Sequence, residues 1–121
     1  MGLNVLAVDD SRTMRDMLSL ALNDAGYQVR LAEDGQDALD ALNDFYADII
    51  ISDINMPRLD GFGFVQAVRQ IERYRATPIL VLTTESAPEL KARARAAGAT
   101  GWIIKPFDAP KLVKALQMVA G

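Results

Sequence analysis

The sequence predicts an α/β sandwich, in which a five-stranded parallel sheet is covered by helices on both faces. Five short apolar runs recur along the chain, and their brevity and β-branched content indicate strands. Three of these runs do not alternate apolar with polar residues, which is typical of strands that are covered on both faces. Segments with helical spacing separate the runs. The chain is therefore predicted to consist of five strand–helix units joined by right-handed crossovers.

The strands are predicted at residues 4–8, 28–32, 49–52, 79–82 and 101–104. The helix after the first strand has the clearest apolar face, and Gly26 is expected to end it. The residues predicted to face the core from this helix are Met14, Met17, Leu18, Ala21 and Leu22.

Two later helices have recognisable ends. The fourth is expected to begin with the capping-box pair Ser86 and Glu89 and to end at Gly98. The fifth is expected to begin at Asp108 and Pro110. No linker or repeat interrupts the five units, so they are predicted to form one domain over residues 1–121.

Composition narrows the range of possible chemistry. The 121 residues are 50% hydrophobic, enough to form the core of a single domain. The chain has no Cys and no His, which excludes disulfides, Cys/His zinc sites and any mechanism with an imidazole base. No apolar run approaches the ~20 residues needed to cross a bilayer, and the N-terminus lacks a signal-peptide pattern. We therefore expect a cytoplasmic protein without membrane insertion.

Charge is distributed unevenly along the chain. The formal net charge is -3, with 7 basic and 14 acidic residues in 1–86 and 6 basic and 2 acidic residues in 87–121. An acidic total argues against nucleic-acid binding, which normally requires a basic excess. The basic C-terminal part is suited instead to an acidic protein partner.

Polar residues follow most of the predicted strands. The pairs Asp9-Asp10, Thr83-Thr84 and Lys105-Pro106 follow the first, fourth and fifth strands, and Asp53 follows the third. Ligands of open parallel sheets bind beyond the carboxyl ends of the strands. Three carboxylates, two hydroxyl groups and one ammonium group are therefore predicted to meet at one edge of the sheet.

Such a cluster requires compensating positive charge. Two unit charges ~4 Å apart repel by roughly 4 kcal/mol at an effective dielectric constant near 20. Lys105 supplies one positive charge, and Mg²⁺ suits the remaining oxygen ligands. A carboxylate beside a cation can act as the nucleophile in phosphoryl transfer and form an aspartyl phosphate. Lys105 and a Thr hydroxyl are then expected to hold the phosphoryl oxygens.

This set of residues resembles the receiver domain of two-component response regulators, and the chain is most similar in size to the single-domain, CheY-like regulators. The resemblance covers nearly the whole chain. It rests on Asp9-Asp10, Asp53 with Asn55-Met56-Pro57 and Gly61, Thr83, and Lys105-Pro106-Phe107. It implies the flavodoxin-like fold with strand order 2-1-3-4-5, for which CheY is itself a standard example. It also implies a cis Lys105–Pro106 peptide bond.

The resemblance implies a role for each site residue. Asp53 is expected to accept the phosphoryl group. Asp9, Asp10, Asp53 and the main-chain carbonyl of Asn55 are expected to bind Mg²⁺ or Mn²⁺. Lys105 is expected to pair with the phosphoryl group.

The resemblance also implies a stand-alone response regulator, phosphorylated by a histidine kinase or a phosphotransfer protein. Such a protein catalyses only its own phosphorylation and slow dephosphorylation, and Asn55 and Glu85 occupy positions where relatives tune the lifetime of the phosphorylated form. Flagellar switch binding in chemotaxis, a phosphate sink and a phosphorelay shuttle all fit this description.

Thr83 and Trp102 occupy the positions of the family's switch residues. On phosphorylation Thr83 is expected to move toward the phosphoryl group, so that Trp102 turns inward and the surface of the fourth helix, fifth strand and fifth helix changes. The basic residues assigned to this surface are Lys91, Arg93, Arg95, Lys111 and Lys114. Two departures are Thr84, where many relatives have a small residue, and Trp102, which is bulkier than the usual Tyr or Phe.

Structural explanations remain open for the same residues. Asp10 and Ser11 are also suited to capping the first helix, and Asp53 to beginning a turn. Lys105 is equally compatible with a solvated lysine, and Thr83 with an ordinary strand residue. Trp102 is also suited to covering the edge of the sheet.

Two other functions are compatible with the fold class. A flavodoxin-like cofactor protein requires a phosphate-binding loop after the first strand, where Asp9-Asp10 would repel a phosphate. A metal-dependent phosphohydrolase requires a second carboxylate near the nucleophile, and Asp53-Ile54-Asn55 does not provide one.

Overall fold

The computed structural model describes residues 2–84 and 87–120. Its strands are β1 (Asn4–Val8), β2 (Gln28–Ala32), β3 (Ile49–Asp53), β4 (Ile79–Thr83) and β5 (Gly101–Ile104). Its helices are α1 (Arg12–Asp24), α2 (Gly35–Ala41), α3 (Gly61–Arg69), α4 (Pro88–Ala97) and α5 (Ala109–Ala120), with a short 3-10 helix at Glu72–Tyr74. The five predicted strand–helix units are confirmed.

The five strands form one parallel sheet in the order β2-β1-β3-β4-β5, which confirms the order implied by the resemblance. β3 and β4 each extend one residue beyond the predicted strand, to Asp53 and Thr83. The two strands are central in the sheet and buried along their whole length. This burial explains their continuously apolar sequences.

Each face of the sheet has its own apolar core, because successive strand side chains point to opposite faces. Leu6, Ile50 and Val81 belong to the core beneath α2, α3 and α4. Ala7 and Ile51 belong to the core beneath α1 and α5. Because all five strands are parallel, their carboxyl ends lie at the same edge of the sheet.

Local sequence signals account for several helix ends. Ser11 is the N-cap of α1 and accepts a hydrogen bond from the Met14 N–H. Gly98 ends α4 with φ 116°, a left-handed conformation that favours glycine. The N-cap of α4 is Ala87, which makes no side-chain capping bond. Ser86, the predicted capping partner, lies outside the described residues.

One predicted core residue of α1 is wrong. Met17 is 42% exposed, whereas Leu18 and Leu22 are fully buried. Met17 lies at the margin of the apolar stripe, beside Phe107 and Ala109 in a shallow depression between α1 and the start of α5. The helical spacing was correct, but the buried stripe is narrower than predicted.

None of the helices in residues 2–84 and 87–120 combines the length and apolarity needed to cross a membrane.

Candidate functional site

Three aspartates meet at the carboxyl edge of the sheet, where the sequence predicts the site. Asp9 and Asp10 directly follow β1, and Asp53 is the last residue of the adjacent strand β3. One carboxylate oxygen from each lies within 4.8 Å of the other two. Asp9 and Asp53 are buried and Asp10 is exposed, so the cluster opens to solvent on one side.

Lys105 supplies the nearby positive charge. Its Nζ lies 2.8 Å from Asp9 Oδ2 and 3.3 Å from Asp53 Oδ1. Burial opposes the charged form of Lys105, but Asp9 and Asp53 outweigh that effect and raise the pKa of Lys105. The lysine is therefore charged, and it is shared between two carboxylates.

Asp53 has the environment of a reactive carboxylate. Burial, followed by repulsion from Asp9, raises the pKa of Asp53 to about 6, although Lys105 acts in the opposite direction. The main-chain N–H of Ile54 donates a 2.8 Å hydrogen bond to Asp53 Oδ1 and fixes the side chain. Near neutral pH the Asp53 carboxylate is mostly ionised, and Lys105 balances its negative charge only in part. Such a carboxylate suits a nucleophile that attacks an electrophilic phosphorus.

Asp9 is fixed by its own loop. Its Oδ1 accepts a hydrogen bond from the Ser11 N–H at 2.9 Å, and Arg15 Nη1 donates to the Asp9 carbonyl oxygen at 2.8 Å. Ser11 also caps α1 through its hydroxyl oxygen, which confirms one of the structural explanations given for Asp10 and Ser11. Asp10 does not cap α1 and faces the cluster instead.

The donor set fits a hard divalent cation. Asp9 Oδ2 is buried and makes no aligned hydrogen bond within the described part of the chain, so its contact with Lys105 is an ion pair. A buried carboxylate oxygen in this situation still lacks part of its normal coordination. Three convergent carboxylates with one open side match the preference of Mg²⁺ for a few carboxylates and several waters.

Asn55 lies on the exposed loop that leaves Asp53. It lines a cavity of about 200 Å³ together with Thr83, Asp60 and Phe62. Asn55 lies two residues after Asp53, and its role as a metal donor stays a prediction. Glu85, the other residue predicted to tune the phosphorylated lifetime, lies outside the described residues.

Thr83 and Trp102 occupy neighbouring strands. Thr83 is the buried last residue of β4, and Trp102 pairs with Val81, two residues earlier on β4. The indole of Trp102 packs partly buried against the core under α4, and its Nε1 makes no hydrogen bond within residues 2–84 and 87–120. Lys91 Nζ lies 6.0 Å from the centre of the ring.

One basic residue is not on the surface to which the sequence assigned it. Arg93 stacks over the ring of Phe62 at 4.2 Å and faces α3. Lys91 and Arg95, by contrast, line a small depression beside Trp102. Lys111 lines another depression beside Trp102, whereas the position of the exposed Lys114 on this face stays a prediction. The four-residue basic group assigned to the face of α4, β5 and α5 is therefore Lys91, Arg95, Lys111 and Lys114.

Sequence reasoning missed Arg15 and the ion pair between Arg58 and Asp34, which tethers the loop after Asp53 to the start of α2. For Arg15 a signal existed, because an arginine in the first turn of α1 can reach back to the preceding loop. For Arg58 and Asp34 no signal existed, since the partners are 24 residues apart.

Comparison with known proteins agrees with this geometry. Residues 5–117 match the response regulator receiver domain family. A structure of the Vibrio cholerae chemotaxis protein CheY4 is 52% identical, with a TM-score of 0.95 over 98% of this chain and 99% of the other. The chemotaxis protein CheY of Pseudomonas aeruginosa is 34% identical over 118 residues, 97% of this chain and 95% of that protein.

A third relative contains the metal. The receiver domain of a Pseudomonas aeruginosa sensor histidine kinase, with a magnesium ion coordinated in its active site cleft, gives a TM-score of 0.92 at 29% identity, over 100% of this chain and 99% of the other. Proteins of this family are signalling switches that bind Mg²⁺ and interact with histidine kinases or phosphotransfer proteins. The chain belongs to the response regulator receiver domain family.

Proposed function

We propose that Asp53 of this response regulator accepts a phosphoryl group from the phosphohistidine of a kinase or phosphotransfer protein. The observation that carries the proposal is the position of Asp53: buried, elevated in pKa and within 4.8 Å of two further carboxylates that suit a cation. The P–N bond of the donor breaks as a P–O bond to Asp53 forms, and the departing imidazole nitrogen keeps the electron pair.

The neighbouring residues compensate the charge of this step. Asp9, Asp10 and the Asn55 carbonyl would hold Mg²⁺, which supplies charge neutralisation to the phosphoryl oxygens when bound. Lys105 reaches Asp53 at 3.3 Å and would pair with a phosphoryl oxygen after transfer. Asn55 and Glu85 would then control how quickly water removes the phosphoryl group. The chain would thus catalyse only its own phosphorylation and dephosphorylation.

The output would pass through Thr83 and Trp102. Thr83 ends β4 next to Asp53, and Trp102 lies on the same side of the sheet. A shift of Thr83 toward the phosphoryl group would let Trp102 move inward and alter the face of α4, β5 and α5. The four-residue basic group on that face suits an acidic segment of a target protein.

The relatives favour a role in chemotaxis, because two of them are named chemotaxis proteins. We propose the cytoplasm as the site of action, since the kinases and targets of such regulators meet there. A phosphate sink or a phosphorelay shuttle uses the same chemistry at Asp53. A flavodoxin-like cofactor binder is not favoured, because the family match and the three carboxylates both oppose it.

Mass spectrometry after treatment with acetyl phosphate and Mg²⁺ tests the proposal. We expect one adduct of about 80 Da on the intact protein, located at Asp53 by peptide mapping. Asp53→Asn should remove the adduct, whereas the surface control Asp44→Asn should keep it. An adduct at another residue, or none with Mg²⁺ present, would overturn the proposal.

A further inference from the structure

A bidentate ion pair joins the loop after Asp53 to the start of α2. Arg58 Nε donates to Asp34 Oδ2 at 2.8 Å, and Arg58 Nη2 donates to Asp34 Oδ1 at 3.0 Å. The side chain of Asp34 is 5% exposed, whereas that of Arg58 is 57% exposed. Asp34 is also the N-cap of α2 and accepts from the Asp37 N–H, so the anchor is part of the regular fold. Such a fork fixes both distance and orientation.

The backbone at Arg58 would not be expected to adopt its conformation unaided. Arg58 has φ 66°, which lies in the left-handed region that residues other than glycine and asparagine seldom adopt. The next residue, Leu59, accepts a hydrogen bond from the Gly35 N–H at 3.1 Å. A Cβ at Gly35 would lie 2.5 Å from the Leu59 carbonyl oxygen, so the close approach requires glycine there. Arg58 is held in its strained conformation by contacts with α2.

The same loop begins at the site. It leaves Asp53, passes through Asn55 and returns at Gly61, whose N–H donates to the Ile54 carbonyl at 2.7 Å. A Cβ at Gly61 would collide with the Asp53 carbonyl oxygen. Both ends of loop 54–60 are thus fixed at Asp53. Met56 and Leu59 pack against the core, and the Arg58 ion pair tethers the exposed part of the loop to the start of α2.

We propose that Arg58 is a positioning residue for the cation site: its ion pair with Asp34 holds loop 54–60 in the conformation that presents the Asn55 main chain to Mg²⁺. The inference rests on the proposed function, because it concerns the same cation. It assigns to a residue outside the site the task of preorganising one donor of that site.

If Arg58 acted on the cation only through its charge, its removal would strengthen Mg²⁺ binding, whereas the positioning role predicts weaker binding. Removing the guanidinium of Arg58 makes the surroundings of the site more negative, and long-range attraction would then strengthen Mg²⁺ binding. Loss of the positioning of loop 54–60 would instead weaken Mg²⁺ binding. The sign of the change in affinity therefore separates the two explanations without reference to phosphorylation.

The experiment is a calorimetric Mg²⁺ titration of the unphosphorylated chain. We expect Arg58→Ala to weaken Mg²⁺ binding roughly fivefold, an effect appropriate to an ion pair with one exposed partner. Arg58→Gly accepts φ 66° without strain yet lacks the ion pair, and it should weaken binding similarly if Arg58→Ala does not fold. Arg30→Ala removes an exposed arginine paired with Asp44 and should leave the affinity unchanged.

A double-mutant cycle completes the test. Asp34→Asn retains a capping side chain but weakens the fork, and combining it with Arg58→Ala should add little further loss. Amide hydrogen exchange at residues 55–59 should be faster in the metal-free variants than in the parent chain. Unchanged or tighter Mg²⁺ binding in both Arg58 variants would overturn the positioning role of Arg58 and leave the proposed function standing. Failure of the parent chain to bind Mg²⁺ would overturn the proposed function as well.

Discussion

Asp53 and Asp34 are two almost fully buried acidic residues, 6% and 4% exposed as whole residues, and each lies beside a basic side chain. Their ionisation is nevertheless shifted in opposite directions. The pKa of Asp53 is raised to about 6, chiefly by burial and then by Asp9. The pKa of Asp34 is lowered, chiefly by its hydrogen bonds from Arg58 and then from the Asp37 N–H.

Two factors explain the difference: burial is the largest influence on the pKa of Asp53 but a minor one on that of Asp34, and the two sites differ in the number of anions per cation. Lys105 is shared between Asp9 and Asp53, so neither carboxylate is fully compensated. Arg58 contacts only Asp34 among the described carboxylates and contacts both of its oxygens. Asp34 therefore contributes to structure, whereas Asp53 remains in an unfavourable arrangement that an added cation would relieve. Perturbed groups of this kind are concentrated at functional sites.

The largest effect should follow from removing the shared cation. We expect Lys105→Met to lower the free energy of unfolding by about 3 kcal/mol at pH 8 in metal-free buffer, because two buried anions lose their partner. The loss should be smaller at pH 5, where Asp53, with its pKa of about 6, is mostly neutral. Urea denaturation measures both values, with the exposed Lys114→Met as control. Equal losses at the two pH values would contradict this explanation.

Neutralising Asp53 should raise the free energy of unfolding, whereas removing Lys105 should lower it. Because its folded-state pKa is about 6 against an ordinary 3.8, stability falls as the pH rises through this interval and Asp53 ionises. Asp53→Asn should therefore raise the free energy of unfolding by about 2 kcal/mol at pH 7.5 without metal, and the gain should vanish below pH ~4. Thermal or urea unfolding across this range provides the measurement. A destabilised variant at pH 7.5 would show that Asp53 is already compensated.

The same substitution at Asp34 should destabilise the protein slightly. The pKa of Asp34 is lowered, so its contribution is present above the ordinary value of 3.8 and is lost as the pH falls through the folded-state pKa. We expect Asp34→Asn to lower the free energy of unfolding at pH 7 by at most about 1 kcal/mol, since asparagine still caps α2 and Arg58 is largely exposed. Opposite signs for the two Asp→Asn variants would establish the contrast, and equal signs would remove it.

Much of the fold follows from local sequence patterns. Continuous apolar runs identified β1, β3 and β4, since a strand buried on both faces has no need of polar residues. Positions of Asp53 and Lys105 at strand ends predicted their convergence, because parallel strands bring their carboxyl ends to one edge. Met17 was placed wrongly because helical spacing identifies the centre of an apolar stripe better than its margins.

Other features depended on contacts between distant segments. Helical spacing already separates Arg93 from Lys91 and Arg95, because residues two apart lie on different sides of a helix. The contact of Arg93 with Phe62 was not predictable, because it depends on the position of α3. The Arg58–Asp34 pair likewise requires the loop after β3 to meet the start of α2, and neither segment carries a motif for the other.

The order of residue types along the chain was by itself enough to determine a parallel α/β domain with an acidic cluster and a lysine at one edge. Only the tertiary structure decided how the charges are paired: Lys105 with both Asp9 and Asp53, and Arg58 with Asp34. The physical reason is the difference between separation along the sequence and separation in space. Hydrophobic periodicity and capping act between near neighbours in sequence, whereas the pKa of a buried group depends on every charge and dipole that folding brings within a few ångströms.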